Sequence, residues 1–170
     1  MPNLRDPNFA RTVALICEHT AEGAMGIVIN RVTDLTLADV FQQMEIDGSH
    51  SAQRTQPVYV GGPVQGNRGF VVHEPVGSWE STLTVGESLG ISTSRDIIAA
   101  IAGDRGPQRY LLALGYAGWS PGQLEREIAE NSWLAGPADR QIIFDTPVEA
   151  RWEAAVKRLG VDLAALSSEA

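Results

Sequence analysis

Short apolar runs alternate with polar, glycine-marked breaks along this chain, and the runs fall into two periods. Residues 12–17 and 26–29 have strand length and composition, and the turn at Ala21-Glu22-Gly23 between them predicts a hairpin. Thr36 then precedes a helical spacing of Leu37, Val40, Phe41 and Met44, with Asp39 in the first turn, which predicts a short capped helix. Residues 45–56 have no period and read as a surface loop. Residues 57–60, 69–73 and 81–85 read as three further strands, and Gly86 and Gly90 read as breaks after the third. Ser94 opens a helix carrying Ile97, Ile98 and Ile101, which Gly103 stops.

The run at residues 109–114 is continuously apolar and predicts a strand covered on both faces, the central one of the sheet. Directly after it comes the stretch Gly115-Tyr116-Ala117-Gly118-Trp119-Ser120-Pro121-Gly122-Gln123-Leu124-Glu125. It reads as a strand end, a glycine turn and a helix start, with Ser120 as cap, Pro121 in the first helical position and Gln123 as the capping-box residue. That helix has a narrow apolar stripe of Leu124 and Ile128 and belongs at the surface. Residues 141–144 read as a last strand. Thr146-Pro147-Val148-Glu149 opens a final helix whose face is Val148, Trp152, Ala155, Val156 and Leu159, stopped by Gly160. The polar tail at 164–170 is expected to fray. These elements predict an α+β fold in a single domain spanning residues 1–170.

Composition narrows the function classes. The net charge is −8, which opposes long-range attraction to nucleic acid or anionic lipid. No segment approaches the ~18 apolar residues of a membrane span, and the first residues carry no apolar signal region, so a cytoplasmic location is expected. Cys17 is the single cysteine; it allows no internal disulfide and no cysteine-based zinc site. Inside an apolar strand it reads as buried and inert.

Three sets of residues could carry chemistry. The glycine stretch could offer backbone N–H groups to an anion, yet no lysine follows the glycines and Glu125 already occupies the first helical turn. Tyr116 and Trp119 then serve as packing anchors or as a partner surface. Glu18, His19 and His73 lie at strand ends and form the sole plausible nucleus of a metal or acid–base site, without any H-x-H or H-E-x-x-H spacing. Arg11, Arg31 and Arg68 stand beside strand ends, where they could line an anion site or pair with Glu18, Glu74 or Asp34. Among the tryptophans at 79, 119, 133 and 152, packing is the default role. No nucleophile motif is present.

The residues Met1-Pro2-Asn3-Leu4-Arg5-Asp6-Pro7, Cys17-Glu18-His19, Gly23-Ala24-Met25-Gly26, Ile29-Asn30-Arg31, Gly61-Gly62-Pro63-Val64, Arg68-Gly69-Phe70 with His73, and Gly115-Tyr116-Ala117-Gly118-Trp119 with Gly122-Gln123-Leu124-Glu125 and Asn131 together resemble the AlgH/YqgE family of bacterial proteins. The resemblance runs over nearly the whole chain. It implies a bent, partly barrel-like and mainly antiparallel sheet flanked by helices and a cytosolic home, and it brings no catalytic residues, metal or cofactor with it. Family naming points to regulation of transcription in alginate production. Members usually carry an apolar strand before the Met-Pro start and a proline where this chain has Val32, so the natural start is expected to lie upstream.

Together these readings favour a non-enzymatic binding or accessory protein. Its expected surface comprises Arg11, Glu18, His19, Arg31, Arg68, His73, Tyr116, Trp119, Gln123 and Glu125, facing a protein or a small anionic partner. The alternatives are a transcription-associated regulator and a metal-assisted hydrolase using Glu18, His19 and His73.

Overall fold

A computed structural model describes residues 11–86 and 88–159. The Met-Pro start, the Gly160 helix stop and the tail at 164–170 lie outside the described residues. Eight strands form one sheet: β1 (Ala14–Thr20), β2 (Gly23–Val28), β3 (Val32–Thr36), β4 (Pro57–Val60), β5 (Val64–Glu74), β6 (Thr82–Val85), β7 (Leu89–Ser92) and β8 (Arg109–Trp119). Their order is β1-β2-β8-β5-β7-β6, with β3 and β4 branching from β8. All pairs are antiparallel except β4 with β8. The two ends of the path, β1 and β6, approach each other, so the sheet nearly closes into a barrel. The helices are α1 (Leu37–Gln43), α2 (Arg95–Ala102), α3 (Gln123–Ala129) and α4 (Arg151–Arg158).

Strand alternation divides the apolar residues between the inside and the outside of this barrel. Leu15, Cys17, Ile27, Tyr59, Phe70, Val72, Leu111 and Ala113 fill the interior. On the outside, α1 and α2 lay Leu37, Phe41, Ile97, Ile98 and Ile101 over Val58, Val71 and Leu112. A separate outer cluster joins Ala117, Trp119, Leu124 and Trp133. The predicted hairpin is β1–β2, with a bulge between Ile16 and Glu18. Thr36 is the N-cap of α1 as expected, and Asp39 in the first turn accepts its N–H at 2.8 Å.

Three predicted elements are corrected. The chain does not turn at Gly115: β8 runs on to Trp119, and Gly115, at φ 79°, is a kink inside the strand. Ala113 faces the interior and so does Tyr116, three residues later, so the kink shifts the alternation by one. The helix begins at Gln123 after Gly122 in a left-handed conformation, and Ser120 and Pro121 belong to the turn before it. Gly90 breaks nothing, since it sits in β7 opposite His73. Finally, residues 141–144 form a π-helical turn, because Ile142 and Ile143 are both buried and consecutive strand residues would point to opposite faces. The strand β3, exposed along most of its length, has no sequence signal.

Candidate functional site

β8 is the common element of most candidate residues, and it holds them at different points along its length. At its C-terminal end, Trp119 pairs with Ala24, and Ala24 pairs with His19 of β1. His19 Nε2 contacts Glu125 Oε1 there, both side chains being half-exposed. Near the N-terminal end of β8, His73 pairs with Tyr110. Nine residue steps along the strand separate Tyr110 from Trp119, about 30 Å. The expected convergence of Glu18, His19 and His73 is therefore corrected: His73 stands at the other end of the sheet. No group of three or more metal-ligating side chains exists among the described residues.

His73 is also no surface residue, being 0% exposed. Its Nδ1 lies 2.9 Å from the Pro75 carbonyl, so Nδ1 carries the proton and Nε2 accepts from Ser92 Oγ at 2.7 Å. Ser92 Oγ in turn lies 2.9 Å from Thr82 Oγ1. A serine bonded to a histidine has the form of a nucleophile and its base, but Ser92 is 0% exposed as well and offers a substrate no approach. This is an internal polar chain tying β5, β6 and β7. It accounts for Gly90, whose added Cβ would lie 2.5 Å from His73 Cε1.

Burial holds the His73 imidazole below the usual histidine range, against the opposing effect of its bond to Pro75. An unfolded histidine protonates near pH 6.5. Just below that pH the unfolded chain binds more protons than the folded one, so stability falls as pH drops from about 6.5 toward the folded value. We expect the urea midpoint of the native protein to decline more between pH 7.5 and 5.5 than that of His73→Gln. Equal declines would show that His73 does not link folding to pH.

Trp119 and Gln123 serve the joint between β8 and α3. Trp119 is 6% exposed and donates its indole N–H to Glu127 Oε1 at 3.0 Å. Trp133 donates to the same oxygen at 2.8 Å, and the two indoles pack edge to face at 5.7 Å. Gln123 Nε2 donates to Glu127 Oε2 at 2.9 Å, while Gln123 Oε1 accepts the Ser120 N–H at 2.9 Å. Glu127 thus gathers three donors and fixes α3 on the sheet. Trp119, expected as a packing anchor or as a partner residue, is a buried anchor. The sequence signal for Glu127 was its helical spacing from Gln123.

Arg68, Phe70 and Tyr116 meet at the rim of the barrel. Arg68 and Phe70 are two apart on β5 and share a face; the guanidinium carbon lies 5.5 Å from the Phe70 ring centre. Tyr116 meets Phe70 edge-on at 5.8 Å. Arg68 is exposed, its Nη1 lies 3.4 Å from Gln65 Oε1, and among the described residues it has no ion-pair partner. Glu18 pairs with Met25, and Met25 with Gly118. That register puts Glu18 on the interior-facing side, near this same rim.

The remaining candidates lie elsewhere. Arg11 stacks on Trp152 at 4.9 Å, and Arg31 follows β2, its carbonyl accepting the Val60 N–H. Glu74 pairs with Arg140 at 3.0 Å, not with any of the three expected arginines. Cys17 is buried, and burial pushes its thiol up to about 12. One residue had no sequence signal: Arg151, 4% exposed, which donates to the carbonyls of Thr146 at 2.9 Å and Ile29 at 2.5 Å and stacks on Tyr59 at 5.3 Å.

A nearly closed antiparallel barrel, braced outside by helices and carrying an arginine–aromatic rim, defines an α+β protein of the bent-sheet class. The sequence matches the family described as AlgH-like (DUF179) over residues 1–164, and the chain belongs to that family. A UPF0301 protein of Nitrosococcus oceani is 54% identical over 99% of this chain and 90% of its own length. One from Methylococcus capsulatus is 54% identical over 100% and 90%. The solution structure of the AlgH protein from Pseudomonas aeruginosa superposes with a TM-score of 0.82 at 50% identity, covering 100% of this chain and 90% of that one. A crystal structure of a Corynebacterium diphtheriae protein shares the fold, with a TM-score of 0.73 at 21% identity over 92% of this chain and 82% of that one.

Proposed function

We propose that this protein is a cytoplasmic binding or accessory protein whose working surface is the Arg68–Phe70–Tyr116 rim, and that its partner is a small anion. The observation that carries this reading is the Arg68 guanidinium. It is exposed, stacked on an aromatic ring, and without an ion-pair partner among the described residues. Stacking on Phe70 holds the guanidinium in place, and beyond the Nη1 contact with Gln65 its donors are left for a bidentate acceptor such as carboxylate or phosphate. Tyr116 packs edge-on against the same Phe70 ring.

The regulator reading has less support, because a net charge of −8 works against phosphate-backbone binding. The hydrolase reading has less still, since its three residues lie at opposite ends of the sheet. The test is titration of the native protein with phosphate and with citrate, followed calorimetrically and repeated with Arg68→Ala. We expect binding of at least one anion and at least tenfold weaker binding by the variant. Equal affinity in both proteins, or no heat from either anion, would overturn the reading.

A further inference from the structure

The barrel mouth that carries Arg68 holds a second charge of opposite sign. At this end β1, β2, β8 and β5 lie side by side, and their register assigns the lining. Glu18 stands opposite Met25, Met25 opposite Gly118, and Val64 opposite Tyr116. Directly opposed residues share a face of the sheet. Met25 and Tyr116 pack on the interior cluster that contains Phe70, so Glu18 and Gly118 lie on the interior side with them.

Between Glu18 and Arg68 the floor of the mouth is apolar, formed by Met25, Tyr116 and Phe70. Gly118 keeps it open, since a Cβ there would meet one atom, Tyr116 Cε2 at 3.6 Å. Both charged side chains are exposed. Neither has an ion-pair partner among the described residues, and they do not pair with each other. Three strand spacings separate β1 from β5, about 14 Å between their backbones along the curved sheet.

An anion bound at Arg68 alone would leave Glu18, a like charge, facing it across the mouth. A zwitterion answers both groups: its carboxylate accepts from the guanidinium, its ammonium donates to Glu18, and an apolar stem between them covers the floor. An α-amino acid carries its two charges too close together to cover that floor. We infer that the mouth binds an extended zwitterion of the ω-amino acid class, with its carboxylate on Arg68 and its ammonium on Glu18. This rests on the anion reading of Arg68 and adds Glu18 and the floor to it.

The test is NMR titration of the whole protein with 6-aminohexanoate, hexanoate and glycine, with affinities read from amide shifts. 6-Aminohexanoate is expected to bind at least threefold more tightly than either of the others. Glu18→Gln is expected to bring it down to the affinity of hexanoate, whose own binding does not fall. Gly118→Leu, which fills the floor, is expected to weaken 6-aminohexanoate at least threefold with an unchanged circular dichroism spectrum; if that variant fails to fold, Glu18→Gln decides alone. Equal binding of hexanoate and 6-aminohexanoate, or an equal effect of Glu18→Gln on both, would overturn the zwitterion, and the anion reading would stand if Arg68→Ala weakened both. Equal binding of glycine, or undiminished binding by a folded Gly118→Leu, would overturn the extended stem. Binding of none of the three would overturn the inference, while phosphate or citrate binding lost in Arg68→Ala would still uphold the anion reading.

Discussion

Gly62→Ala is expected to lower the unfolding free energy by about 4 kcal/mol, read from urea midpoints, because strain and overlap add at one position. Gly62 has φ 155°, and a Cβ there would lie 2.1 Å from the Tyr116 carbonyl carbon and 2.4 Å from the Ala117 nitrogen. Those are backbone atoms of β8 and cannot rotate away as a side-chain tip could. The approach is mutual: a Cβ on Gly115 would meet Gly62 O at 2.4 Å, and one on Gly61 would meet Gly115 O at 2.2 Å. Gly61 is bonded on both sides, donating to Leu114 O at 2.8 Å and accepting from Val28 at 2.8 Å. The glycines let the chain after β4 cross β8 where that strand kinks. Gly66→Ala is the control, since a Cβ there meets nothing within 4 Å. A loss below about 1 kcal/mol for Gly62→Ala would mean that the crossing opens without the cost expected of an overpacked site.

Trp119→Ala is expected to cost about 3–5 kcal/mol, in the range for truncating a buried aromatic. It removes the ring that packs on Trp133 and one of the two indole donors on Glu127 Oε1. Trp119→Phe keeps most of the packing and loses the donor alone, so its cost is expected at about 1–2 kcal/mol. Near-native stability of the alanine variant in urea would return Trp119 to the role of a partner residue.

The places where sequence and structure part share a cause. Glycine density at 115–122 reads as a turn, because glycine is the residue of turns; here Gly115 serves a kink within a strand, at a crossing set by Gly61 and Gly62. Gly90 hides β7 for the same reason, since the His73 ring occupies the space of its Cβ. In both cases a distant neighbour dictates the glycine, and no local window contains it. Where structure is locally determined, the reading holds: the β1–β2 hairpin, the Thr36–Asp39 helix start, the helix opening at Ser94 and the central position of β8. The α+β bent sheet rests on these and on the family resemblance.

Of the candidate site, Arg68 and Tyr116 were legible as residues, but their meeting through Phe70 was not, because a partner on a neighbouring strand depends on register. Two-residue spacing did place Arg68 and Phe70 on one face. His73 misled because a histidine at a strand end carries no mark of its burial; the mark was the serine, threonine and glycine that surround it on β6 and β7.

The claim that the Arg68 rim binds an anion is tested most directly by amide chemical-shift mapping during titration with phosphate and citrate. The expected result is saturable movement of the amides of 64–70 and Tyr116, with those around His73 and Ser92 unmoved. Shifts confined to other surfaces, or none at all with either anion, would contradict it.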